Sequence, residues 1–317
     1  MARPLRIEFP GAFYHVTARG NERKPIYRTD VDRCQFLAVL ADIVDHYHLL
    51  LHAYVLMDNH YHLLVETIEA NLGRAMPDLN GAYAQCFNRR HHRIGHLLQG
   101  RYKAPLVQRD AYLLELSRYV HLNPVRAHMV ARAEDYAGSS AGAYVGTCAP
   151  PPFLTVAEVL GHCGRQRRPA RRRYAAFLAE AAGSLSASPL DNLVAQTLLG
   201  EPEWVAAMRV RITDCMRAGR LPLDLGELPG LRGVRCRPTL AQVVSAVAAA
   251  TGTAPELIYR PHSRALGRAV AIYLANKHAG LTQKEVGIAF GIRCFAVSKA
   301  LSAWRWPAKA TASCAAC

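Results

Sequence analysis

The sequence predicts an α+β domain followed by a separate all-α module. Three observations carry that division. Strand-like and helix-like stretches alternate through the first half of the 317 residues, and the second half shows helical periodicity only. The charge also divides: residues 1–150 hold 17 Lys+Arg against 14 Asp+Glu, and residues 151–317 hold 22 against 10. Histidine runs the other way, with 11 of its 14 copies in the first half. A formal net charge of +15 points to a polyanionic partner, usually nucleic acid.

Composition bounds the rest. A hydrophobic fraction of 51% supplies a real core and excludes disorder as the main state. No apolar run reaches the ~18 residues of a membrane helix, and the N-terminus lacks an apolar signal segment, so the expectation is a cytoplasmic protein. Nine cysteines, mostly single, read as free thiols. The one C-x-x-C, Cys314 to Cys317, stands without a second pair and reads as incidental.

Each element has its own signal. Ala12–Arg19 mixes aromatic and β-branched residues and closes on Gly20-Asn21, which predicts a strand. Thr29 or Asp30 caps a helix to about Tyr47, with Val31, Phe36, Leu37, Leu40 and Val44 as its apolar positions. Leu50–Met57 and His60–Thr67, separated by Asp58-Asn59, form a hairpin. A second helix is expected over Pro77–Arg90, a strand interrupted by Gly100 within Leu97–Gln108, and a helix from Asp110 to about Leu122, before Asn123-Pro124. The order β-α-β-β-α-β-α suits a ferredoxin-like antiparallel sheet with packed helices. We divide the chain into residues 1–147, a basic and partly helical connector over 148–238, an all-α domain over 239–306, and a disordered tail over 307–317.

Chemistry concentrates in three places. His60 and His62 stand two apart on a strand, so both imidazoles project from one face and can reach one divalent metal. Tyr119 and Asn123 lie one turn apart on a helix, with Asn123 at its end, where a carboxamide is free to act as a ligand. Tyr112 lies on nearly the same face, and spacing alone does not choose between the tyrosines. Gly100-Arg101-Tyr102-Lys103 alternates basic and aromatic side chains, as a single-stranded nucleic-acid groove requires. Two histidines and a polar oxygen leave metal positions open for a phosphate, which a tyrosine hydroxyl could attack. Tyrosine needs a base for that, and His121, Glu66 and Glu115 are all candidates.

These residues resemble a family. His60-Tyr61-His62 is similar to the HUH motif of single-strand DNA tyrosine nucleases. Phe13 to Asn21, Gly100 to Lys103 and Arg118 to Arg126 resemble the REP-associated tyrosine transposases, in the right order over about residues 3–146. The resemblance implies an HUH palm, Mg²⁺ or Mn²⁺, and one catalytic tyrosine matching Tyr119, with His60, His62 and Asn123 on the metal. It implies cleavage of one DNA strand beside a hairpin, a 5′-phosphotyrosine and a free 3′-OH. The partner would be single-stranded or hairpin DNA, with a homodimer possible. Arg19, Arg101, Lys103 and Arg126 are the DNA-contact candidates of this half. A non-cleaving regulator that recognises repeat hairpins is the alternative, and a metal hydrolase acting on RNA the weaker third.

The C-terminal stretch from Arg268 to Ala300 resembles the helix-turn-helix of the bacterial replication-initiator C-terminal domain. Thr282 would cap its first helix, Gly291 would make the turn, and Cys294–Trp304 would be the recognition helix. Arg293, Ser298 and Lys299 are its candidates for phosphate or base contact.

Overall fold

The structure is a computed structural model, and it describes residues 7–183, 188–217, 238–261, 263 and 265–303. The chain forms two compact units that divide between Arg235 and Cys236. In the first, strands β1 (Ala12–Arg19), β2 (Leu49–Met57), β3 (His60–Thr67) and β4 (Leu106–Val107) alternate with helices α1 (Asp30–His46) and α2 (Leu72–Arg90). The sheet order is β2-β3-β1-β4-β5, where β5 is Leu198–Leu199. The first four strands are antiparallel in the ferredoxin-like arrangement, and β5 joins β4 in parallel, so the sheet as a whole is mixed.

Both faces of this sheet are covered. Tyr61 on one face meets Phe36 of α1 and donates to Asn80 of α2. Helix α3 (Arg109–Arg126) packs against β2 and β3 on the other. Leu113, Leu116 and Val120 are among its buried positions. The double cover explains why β1 buries almost every residue instead of alternating.

Three elements depart from expectation. Helix α2 starts at Leu72, five residues before Pro77, because Leu72, Ala75 and Met76 are buried against the core. That burial offsets the hydrogen bond proline forfeits. The strand expected over Leu97–Gln108 reduces to the two residues of β4 and single bridges pairing Leu98 with Gly20 and Lys103 with Thr17. Helix α3 runs through Pro124 to Arg126. The residues after Asn123 remain helical because Ala127 donates to the Asn123 carbonyl and Met129 to that of Pro124.

The segment expected as a connector contributes α4 (Ala141–Val145, just before it), α5 (Ala157–Cys163), α6 (Arg167–Gly183), β5 and α7 (Pro202–Arg217). Val159, Tyr174, Leu178, Leu198 and Ile212 join the same apolar core as the sheet. In α6, Arg167, Arg168, Arg172 and Arg173 are exposed while Ala170, Tyr174 and Leu178 are buried against the core.

The second unit is all-α: α8 (Leu240–Thr251), α9 (Pro255–Tyr259), α10 (Leu266–Lys277), α11 (Gln283–Phe290) and α12 (Cys294–Ala303). Val243, Val247, Ile258, Ile272, Val286, Phe290 and Val297 make its own core. Thr282 caps α11 through a reciprocal box with Glu285, and Gly291 ends it at φ +62°, a conformation that favours glycine. Trp304, the 307–317 tail and the Cys314–Cys317 pair lie outside the described residues. Among the described residues, no helix is long and apolar enough to cross a membrane.

Leu116→Ala is expected to lower the unfolding free energy by about 2–5 kcal/mol, since a fully buried α3 side chain would leave a cavity between helix and sheet. The midpoint of urea unfolding reads this directly.

Candidate metal and nucleophile site

The β1–β3 register builds the site. Thr17 stands opposite His62 and Arg19 opposite His60. Because directly paired residues share a face, His15, Arg19, His60 and His62 all project toward α3. Gly20 closes β1 tightly: a Cβ there would meet the Lys24 carbonyl oxygen at 2.1 Å, so the chain turns away beside Arg19 only with glycine.

The imidazoles of His60 and His62 lie edge to face with centroids 5.0 Å apart. Nδ1 of His60 is 2.7 Å from Asn59 Oδ1, which leaves its Nε2 to a further partner. Nδ1 of His62 is 2.9 Å from His15 Nε2, and His62 Nε2 is buried with no hydrogen-bond partner among the described residues. Desolvation by burial lowers His60 to about 4 and His62 well below the ordinary histidine range, with neighbouring Arg19 adding to both effects. The imidazoles are therefore neutral at neutral pH, the form that binds a metal. An unpartnered buried nitrogen beside a second imidazole fits a divalent cation.

Tyr119 lies against His62 and His15. Its ring is edge-on to His62 at 6.0 Å and to His15 at 5.9 Å between centroids. The guanidinium of Arg126 stands 5.2 Å over the Tyr119 ring. Glu115, Arg118, Tyr119, Leu122 and Arg126 line one cavity with Ala181 and Pro189. Tyr112 makes no ring contact with these histidines and packs on the core instead, so the contacts favour Tyr119. Asn123 sits within the helix rather than at its end. Its Nδ2 donates to the Tyr119 carbonyl at 2.8 Å and reaches that of Val120, which Pro124 cannot serve, at 3.4 Å. Only Oδ1 of Asn123 remains to act as a ligand.

Other sequence candidates separate. His121 is fully buried on the far side of α3. It pairs through Nδ1 with Tyr174 and through Nε2 with Ser140, each at 2.7 Å, so it is not a base for Tyr119. Tyr102 is buried and donates to the Leu72 carbonyl, so it offers no stacking face between Arg101 and Lys103. Arg19, Arg101 and Lys103 are exposed, as are Arg293, Ser298 and Lys299 in the second unit. His15 was missed as a site residue. Its signal is its place two residues before Thr17, which emerges only from the strand pairing.

Residues 9–123 match the family model described as transposase IS200 like. A search of the curated proteins returns no match. A solved structure of a REP-associated tyrosine transposase bound to a REP hairpin aligns at 15% identity. It covers 50% of this chain and 93% of its own, with a TM-score of 0.40.

A second group of potential ligands, one histidine and two carboxylates, lies further along the sheet. His52 occupies a bulge in β2, where the register with β3 shifts between Leu51 and Ala53. Ligand atoms of His52, Glu66 and Glu158 lie within 4.8 Å of one another. Arg109, the first residue of α3, contacts both carboxylates, so this set already carries its own counter-charge. The hydrogen bond from His52, followed by the charge of Arg109, lowers the Glu66 carboxyl below its ordinary value of 4.5. A carboxylate lowered in the folded state adds stability above its unfolded pKa and loses it as pH falls through the folded one. Glu66→Gln is therefore expected to be less stable than the parent at neutral pH, with the gap closing as the pH drops below about 4.5. Thermal unfolding across that range measures it.

Proposed function

From the match of residues 9–123 to the IS200-like transposase family model, we propose that the protein is a site-specific single-strand DNA endonuclease and strand-transferase. It acts beside palindromic hairpins through a 5′-phosphotyrosine intermediate. The observation that carries the reading is the convergence of His60, His62 and Tyr119, with a buried, unpartnered Nε2 on His62.

In this reading His60 Nε2, His62 Nε2 and Asn123 Oδ1 hold Mg²⁺ or Mn²⁺. The cation, when bound, polarises the scissile phosphate. Tyr119 Oη attacks phosphorus, its bond to the 3′ oxygen breaks, and that oxygen leaves as a 3′-OH after taking a proton. A second 3′-OH reverses the step on another strand, so rejoining needs no external energy. Of the three base candidates, Glu115 lines a cavity together with Tyr119, and we assign it the Tyr119 proton. Arg19, Arg101, Lys103 and Arg126 bind the strand's phosphates. Arg293, Ser298 and Lys299, on the α11–α12 pair of the second unit, hold duplex DNA in the manner of a helix-turn-helix.

Incubation with a labelled hairpin oligonucleotide and Mn²⁺ is expected to give a covalent protein–DNA adduct that Tyr119→Phe abolishes. Glu115→Gln should slow the adduct without weakening DNA binding. An adduct undiminished in Tyr119→Phe overturns the assignment, and tight hairpin binding with no adduct favours a non-cleaving regulator. Removing residues 236–317 is expected to weaken DNA affinity while leaving adduct formation intact at saturating DNA. Loss of the adduct under saturation would contradict the division of labour.

A further inference from the structure

The unpartnered nitrogen of His62 raises a question of proton placement. The contact between His62 Nδ1 and His15 Nε2 is 2.9 Å long, and the two rings lie within 14° of parallel. One proton sits between these nitrogens, and it can belong to either ring. If His15 Nε2–H donates, a neutral His62 carries its own proton on Nε2. That nitrogen is then a buried donor with no acceptor, which costs about 1–3 kcal/mol, and its lone pair is lost to a metal. If His62 Nδ1–H donates, Nε2 keeps its lone pair and points it into the site.

We propose that His15 is the positioning residue of the metal centre. Its Nε2 accepts the Nδ1 proton of His62, which fixes the metal-binding tautomer and the angle of the ring. This rests on the metal reading above. His15 is suited to the task because it is buried, at 1% exposure, and its ring contacts both His62 and Tyr119.

His60 receives the same service by a different route. Asn59 Nδ2 donates to the Arg23 carbonyl at 3.0 Å, which turns Asn59 Oδ1 toward His60 Nδ1 at 2.7 Å. An amide oxygen can only accept, so His60 carries its proton on Nδ1 and keeps Nε2 free. Each metal histidine thus has its own acceptor: a turn residue for His60 and a strand neighbour for His62. Groups of this kind raise the basicity of a metal-bound imidazole and hold it in place, and their loss weakens metal binding by ~10–100-fold.

The test uses the full chain without DNA. Free Mn²⁺ is followed by electron paramagnetic resonance during titration of wild type, His62→Ala, His15→Phe and His15→Gln. His15→Phe keeps a flat ring without an acceptor and is expected to weaken Mn²⁺ binding about 10–100-fold. His15→Gln keeps an acceptor oxygen and should restore affinity to within a few-fold of wild type. His62→Ala should abolish tight binding. In parallel, ¹⁵N–¹H correlation of the wild-type histidine side chains should show His62 protonated on Nδ1, a readout that needs no variant to fold. A His62 protonated on Nε2, or tight Mn²⁺ binding by His15→Phe while His62→Ala loses it, overturns the role of His15 and leaves the metal reading standing. Mn²⁺ binding indifferent to His62→Ala overturns the metal reading itself.

Discussion

The pairing of β1 with β3 is the constraint on which the rest of the site depends. Side chains alternate faces with a period of two, so the register of that one ladder decides what meets α3. With Thr17 opposite His62, the face presents His15, Arg19, His60 and His62. A slip of one residue would turn Tyr61 and Leu63 toward α3 and bury the histidines under α1 and α2. The hydrophobic pattern forbids that slip, because Tyr61 fits against Phe36 and Asn80 on its own side.

Helix α3 converts this histidine-bearing face into an enclosed site. It excludes water from the imidazoles, and desolvation keeps them neutral. It also brings Tyr119 against two of their rings. The helix is held from both ends and from behind. Arg109 ties its start to Glu66 and Glu158, and Asn123 repairs the backbone before Pro124. On the far side, Ser117 and His121 share the hydroxyl of Tyr174 from α6. The helices after residue 123 therefore do more than connect. They hold the helix that carries Tyr119 from outside the segment that matches the transposase family model.

The asymmetry of charge has a physical counterpart. The first half holds a dry, histidine-lined site with Arg19 and Arg126 beside it. Most of the net positive charge lies after residue 150. Proposed catalysis and proposed DNA holding thus draw on different residues, although the first unit reaches well past residue 150.

The strands Ala12–Arg19 and His60–Thr67, the Asp58-Asn59 hairpin, the capped helix from Thr29, and the cap and turn at Thr282 and Gly291 can be read directly from the residues. Each is set by local backbone preference and periodicity, which need no distant partner. His60, His62 and Tyr119 were legible as candidates for the same reason. Tertiary structure alone decided the rest. It carried α2 back to Leu72 and α3 past Pro124, because burial and replacement hydrogen bonds outweigh the cost of an interior proline. It drew helices α5, α6 and α7 and strand β5 into the first core, buried Tyr102, and turned His121 away from Tyr119. It also brought His15 to His62 across 47 residues of chain. That contact follows from which strands pair and in what register, a property of the whole sheet that no local window of sequence contains.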